Sequence, residues 1–221
     1  MLDIASTKNR FSSEGAPWRE QPDVSDLGGR RQPPYFETSI WHLICRRFPW
    51  LLSLMLIQSI SGWVVERFSA LVEKHVVLAS FLTMLVGGGG NSSGQTVAEL
   101  VRVLSTGEVR SGQLCRVLLR ELAIGAILGV GLGLCAYPRV RLLSRDASDA
   151  TALTISVAYA VIVIMANAIG VIVAMTLHMC DAAAVGSPPV VQVTVDVLGV
   201  TITMLIAQAI LGEHCDGQSC E

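Results

Sequence analysis

Apolar residues in this chain come in long unbroken runs, not as alternating or one-faced stripes. Counting from the N-terminus, the runs cover Phe48 to Val65, Val76 to Val86, Leu118 to Tyr137, Ala152 to Leu177 and Val190 to Leu211. A segment that is apolar on all sides is a helix for lipid or for a deep core, and crossing a bilayer takes about 20 such residues. The second run is too short by itself. It qualifies only if its helix continues, distorted, through Gly87–Gly90 into "TVAELVRVL". The pattern predicts an all-α, polytopic membrane protein with five transmembrane helices, the second distorted at a glycine-rich stretch. Residues 1–40 are polar, with Gly28-Gly29-Arg30-Arg31 and Pro33-Pro34, and read as a disordered N-terminal tail. The transmembrane domain is expected over residues 41–212, and residues 213–221 form a C-terminal tail.

Composition agrees with a membrane reading. Only 15% of the 221 residues are charged, against about 25% in soluble domains. A formal net charge of −2 argues against nucleic acid as a partner, since phosphate neutralisation needs a basic surplus. No apolar core follows a basic start at the N-terminus, so no cleaved signal peptide is expected. The distribution of arginine sets the orientation. Arg46 and Arg47 precede the first run, and Arg102, Arg110, Arg116 and Arg120 lie between the second and third. Five crossings put both groups on one face, and the tail "GEHCDGQSCE", without Lys or Arg, on the other. A cytoplasmic N-terminus follows, although Arg139, Arg141 and Arg145 fall on the outer face. The six cysteines (45, 115, 135, 180, 215 and 220) are too scattered for a disulfide framework. Cys135, inside an apolar run, reads as a small lipid- or core-facing side chain.

One acid stands out. Asp196 is the only ionisable residue between Val190 and Leu211. A carboxylate near the bilayer centre costs about 2.5–3.5 kcal/mol even on the lenient insertion scale, so it must face protein or water and have a partner. The fourth and fifth runs contain no Lys or Arg, which leaves a cation as the natural partner. The competing reading is a protonated acid, or one hydrogen-bonded to a hydroxyl or amide on a neighbouring helix. Gln192, Asp196, Gly199 and Thr203 share one helical face, which favours a water-lined path along the fifth span. Gln58, Ser61, Gly62 and Glu66 form a similar stripe on the first. Ser156, Ala160, Asn167, Gly170 and Ala174 on the fourth read as a packing seam. On the third, Gly125, Gly129 and Gly133 form a tandem Gly-xxx-Gly, a pattern of close helix approach that speaks for assembly.

"MLVGGGGNSSGQTVAEL" lacks the Lys-Ser/Thr of a phosphate-binding loop. Irregular backbone at membrane depth survives only where it lines a cavity or is buried in protein. A break at Gly87–Gly90, followed by Asn91, Ser92 and Ser93, would present free carbonyls suited to a hydrated divalent ion. The alternative is a solvent loop after a short helix.

The blocks "RRFPWLLSLML", "LVGGGGNSSGQTVAELVRVLSTGEV", "LLRELAIGAILG", "MANAIG" and "VTVDVLG" stand in an order and spacing that resembles the MgtE-type magnesium transporter family, with its eukaryotic solute-carrier relatives. The resemblance covers Arg46 to about Leu211. It implies a homodimer of five-helix membrane domains, an ion path between the second and fifth helices of both protomers, and Mg²⁺ as the transported ion. The family's ion-binding aspartate of the last helix corresponds to Asp196. Positions one and two turns earlier map onto Gln192 and the turn Ser187–Pro189. Gly88, Gly89, Gly90 and Asn91 correspond to the path lining, and Gly199 and Thr203 continue the face of Asp196. The spacing from Asp181 to Asp196 is one residue longer than the family pattern, with Ala182 in place of a proline. Bacterial members carry a soluble magnesium-sensing region before the membrane domain. Here a 40-residue tail is read at that place, so gating by such a region is not expected. No bond is made or broken in this reading, so no enzyme is expected. The partners are a second copy, a divalent cation and the lipid bilayer. Two other readings stand beside it. One is a membrane adaptor that dimerises through its Gly-xxx-Gly seam without transporting. The other is traffic of a different divalent ion such as zinc, drawing on His178, Cys180 and Asp181 or on His214, Cys215 and Cys220.

Overall fold

The computed structural model describes residues 36, 38–109, 111–144, 147–179 and 187–212. Among these, five helices are long and apolar enough to cross a membrane. They are α1 (Ile40–Arg67), α2 (Val76–Ser105), α3 (Leu114–Leu143), α4 (Asp149–Met179) and α5 (Ser187–Gly212). A short helix, Ser69–Lys74, stands between α1 and α2. Each helix runs past its apolar run, α2 at its C-terminal end only and the others at both ends, because a helix satisfies its own backbone and can continue into the polar boundary of the bilayer. By internal contacts the chain divides into Met1–Leu43 and Ile44–Glu221. Among the described residues the first unit supplies the opening turn of α1, and the second holds the bundle.

Local signals account for the ends. Ser148 caps α4: its Oγ accepts the Thr151 amide at 3.1 Å, taking up one of the donors that a helix start leaves unpaired. Proline sits in the first turn of α5 at Pro188 and Pro189, where no amide donor is lost. Helix α2 stops at Gly107, whose φ of 73° is the left-handed geometry that glycine adopts at low cost.

The second span is not interrupted at its glycines. Helix α2 is one continuous α-helix through Gly87, Gly88, Gly89 and Gly90, and its carbonyls at that level belong to helical geometry. The glycines serve another purpose. A Cβ at Gly89 would lie 2.6 Å from the Ile162 side chain and 3.0 Å from Val195. Side chains at Gly88 and Gly90 would collide with Tyr159 and Gln192. The missing side chains let α2 lie close against α4 and α5, and without this gap neither neighbour could approach.

Helix α4 is the hub, packing along α2, α3 and α5, while α2 also packs on α5. Its centre is filled by Ile155, Ile162, Val163, Ala166 and Val171, none of them accessible. Lipid tails are as apolar as these side chains, so helix association rests on close packing and hydrogen bonds and not on exclusion of water. The Gly-xxx-Gly seam follows this logic within the chain. A Cβ at Gly129 would sit 2.6 Å from the Ala160 carbonyl oxygen, and at Gly133 2.8 Å from that of Ser156. The seam read as an assembly surface therefore joins α3 to α4 of the same chain, with Ser156, Ala160 and Asn167 of the α4 stripe as its other half, while Gly170 faces Ser93 and Thr96 of α2. Outward, α3 presents Ile127, Val130 and Leu134, and α1 presents Leu51, Met55 and Leu56. Cys135 is also on the outside.

Candidate ion-binding site

Asp196 lies well inside α5, half-buried, and its carboxylate is gripped from two sides. The Gln192 amide, one turn earlier on the same helix, donates to Oδ1 at 2.7 Å. The Gln58 amide, from α1, donates to Oδ2 at 2.8 Å. Each carboxylate oxygen can accept twice, so each keeps one lone pair after its amide bond. The two amides fix the plane of the group without neutralising it. A Lys or Arg would neutralise it, and none pairs with Asp196 among the described residues.

The scaffold beneath is the glycine stretch of α2. The Gln192 carboxamide lies directly over Gly90, where any side chain would displace it. The Tyr159 ring from α4 covers Gly88 in the same way. Gly89 is packed against Ile162 and Val195 and is buried. On the next turns of α5, Gly199 sits against Val86, with Cγ1 3.1 Å from where a Cβ would be. The Thr203 hydroxyl donates to the Gly199 carbonyl at 2.7 Å and has no accessible surface.

Sequence-predicted positions thus separate into two groups. Asp196, Gln192 and Gly90 converge on one spot. Gly88, Gly89, Gly199 and Thr203 pack the helix interfaces around it, and Asn91 is exposed on α2. Ser187 opens α5 and Pro189 follows it in the first turn, exposed. Two residues of the site were not foreseen. Gln58 was seen in a polar stripe, yet nothing in the chain connects it with an acid 138 positions later. Tyr159 reads as one more apolar residue of the fourth run. Of the alternatives for Asp196, the contact with an amide on a neighbouring helix is present in the structure, from Gln58 of α1.

Among the described residues no group of three His, Cys, Asp or Glu side chains could hold a metal. His178 is exposed near the end of α4. Cys180, Asp181, His214, Cys215 and Cys220 lie outside the described residues.

Five membrane-length helices and an uncompensated, amide-braced acid inside the last of them define an integral, multi-pass α-helical membrane protein with a polar site at membrane depth. A family model described as "MgtE: Divalent cation transporter" matches residues 82–206, from within α2 almost to the end of α5. The chain belongs to the MgtE family. It is similar to the magnesium transporter MgtE of Thermus thermophilus, 28% identical over 193 residues that cover 86% of this chain and 42% of the relative. It is also similar to the magnesium transporter MgtE of Bacillus subtilis, 28% identical over 183 residues, covering 80% of this chain and 39% of that one. The chain therefore spans about two-fifths of the length of these relatives.

Proposed function

We propose that this chain conducts a divalent cation, magnesium, across the membrane as a homodimer, without chemical conversion of any substrate. In this reading the ion passes between α2 and α5 of both protomers, and the two Asp196 carboxylates face each other across the path. Magnesium sheds its waters reluctantly and is held by one or two carboxylates with water retained, which one acid per chain supplies. The family membership and the magnesium-transporting relatives support the substrate class. The single observation that carries the site is the carboxylate oriented by Gln58 and Gln192 with a lone pair free on each oxygen.

The rest follows from charge. Two facing carboxylates without a cation repel, and one takes a proton; ion entry releases it. Gln192 and Gln58 hold the acid in one orientation, so its open lone pairs stay directed at water or at a hydrated ion. Ser187 and Pro189 set the start of α5 at the mouth. Arg46 and Arg47 in the opening turns of α1, Arg102 near the end of α2, Arg110 after it, and Arg116 and Arg120 at the start of α3 face the cytoplasm, and the C-terminus faces the other side. The test is flux of Mg²⁺ into liposomes carrying the purified chain. The parent conducts, and Asp196→Asn falls to the level of protein-free liposomes. Undiminished flux in that variant sinks the site. A silent parent that is folded and dimeric favours the non-transporting adaptor.

A further inference from the structure

A second polar cleft lies on the opposite side of α2 from Asp196. It occupies about 130 Å³ between α2, α3 and α4, lined by Ser92, Thr96, Glu99, Glu121 and Asn167, with Gln95 beside them and Ile124 and Leu128 as the apolar wall. Gly90, under the Gln192 amide, and Glu99 are nine positions apart, about two and a half turns at ~3.6 residues per turn, and so point in opposite directions. The two sites do not share a helix face.

The floor of this cleft is built from buried polar groups. Asn167 is 1% exposed, Thr96 5% and Ser92 9%. Ser92 Oγ bonds the Asn167 carboxamide at 2.5 Å, and Thr96 Oγ1 donates to Glu121 Oε2 at 3.1 Å. The Asn167 nitrogen lies toward α3, 3.2 Å from where a Cβ of Gly125 would be. A half-turn of the carboxamide lets that nitrogen donate to Ser92 Oγ and directs Oδ1 into the cleft instead. At the mouth, Glu99 is clamped by Arg102 at 2.7 Å, and Arg102 also holds Glu108 at 3.1 Å. Glu121 takes part in none of these ion pairs, which leaves a carboxylate beside three neutral oxygens.

We propose that this cleft is a second cation site, separate from the Asp196 path, which takes a partly hydrated divalent ion. Glu121 supplies the charge, and Thr96, Ser92 and Asn167 supply neutral oxygens directly or through water. All donors are hard oxygens, which select such an ion over a soft metal. The cleft is roomy enough for several waters, so part of the hydration shell stays and protein oxygens replace the rest. An ion here ties α2, α3 and α4 together on the side away from the Asp196 carboxylate. It would thereby steady the glycine stretch of α2 on which Gln192 rests.

Equilibrium binding of Mn²⁺ to the purified full chain in detergent, read from the free-ion electron paramagnetic resonance signal in potassium chloride, tests this. The parent is expected to bind one ion per chain in the cleft in addition to any ion at Asp196. Glu121→Gln and Thr96→Val lose the cleft ion, Asp196→Asn keeps it, and Mg²⁺ displaces it where the same concentration of Na⁺ does not. Unchanged stoichiometry in both cleft variants, each eluting as the parent does on gel filtration, overturns the proposal. Equal displacement by Na⁺ overturns the divalent assignment. If Asp196→Asn alone loses nothing, the Asp196 path falls and the cleft stands.

Discussion

Asp196 is legible as a candidate because a lone charge in an apolar run has to be explained by something outside its own helix, and Gln192 because it lies one turn away on the same face. Gln58 was not legible as its partner: a hydrogen bond between helices at opposite ends of the chain leaves no trace in local spacing. Its contact with Oδ2 carries a prediction. Gln58→Leu and Gln192→Leu each remove one donor and leave the carboxylate free to rotate. Partners that orient an ion-binding group typically contribute 10–100-fold, so each variant should lose Mg²⁺ flux by about that factor while eluting as the parent does. An unchanged flux would mean the amides only pack. A second residue, His75, titrates at the joint between the short helix and α2. Its Nε2 is buried and has no partner among the described residues, and burial, then the neighbouring Lys74 charge, lowers its pKa. The folded chain thus binds fewer protons there than the unfolded chain, so stability rises with pH. The contribution is whole above the ordinary histidine value of about 6.5 and fades as pH falls through the lowered one. In thermal unfolding the parent should gain stability relative to His75→Phe as the pH is raised across that range, because only the parent carries the acid-side loss.

Glycine works in two ways in these helices, and only the structure tells them apart. Four consecutive glycines read naturally as a break, because glycine weakens a helix by about 1 kcal/mol relative to alanine. In α2 three of them are instead occupied from outside, by Tyr159, by Ile162 with Val195, and by Gln192. Spacing cannot report which neighbour arrives. Gly90→Ala should push the Gln192 amide off its seat and lower flux, whereas Gly94→Ala meets nothing within 4 Å and should raise stability by up to about 1 kcal/mol. The same contrast holds on α3. Gly129→Ala drives a methyl to 2.6 Å from the Ala160 carbonyl oxygen, whereas Gly131→Ala is open. Thermal unfolding in detergent should show loss of stability at Gly129 and none at Gly131. If the two behaved alike, the seam between α3 and α4 would not be as tight as the structure has it.

At the scale of the whole molecule, five long apolar runs were enough to give the all-α, five-helix membrane architecture, because the bilayer permits little else. The order of packing was not available from them. Helix α4 is the hub since its small residues admit three neighbours, while α1 keeps only Leu54 and Val64 buried yet still delivers Gln58 to the acid on α5. An outlying helix that completes the site makes sense if a second copy covers it, as the proposed dimer requires. The most direct measurement is an anomalous-scattering map from crystals of the dimer soaked in Mn²⁺. The account predicts a peak on the molecular twofold, between the two Asp196 carboxylates and linked to them directly or by one water. A map with no peak there, or with each Asp196 turned toward acyl chains and far from its symmetry mate, would contradict it.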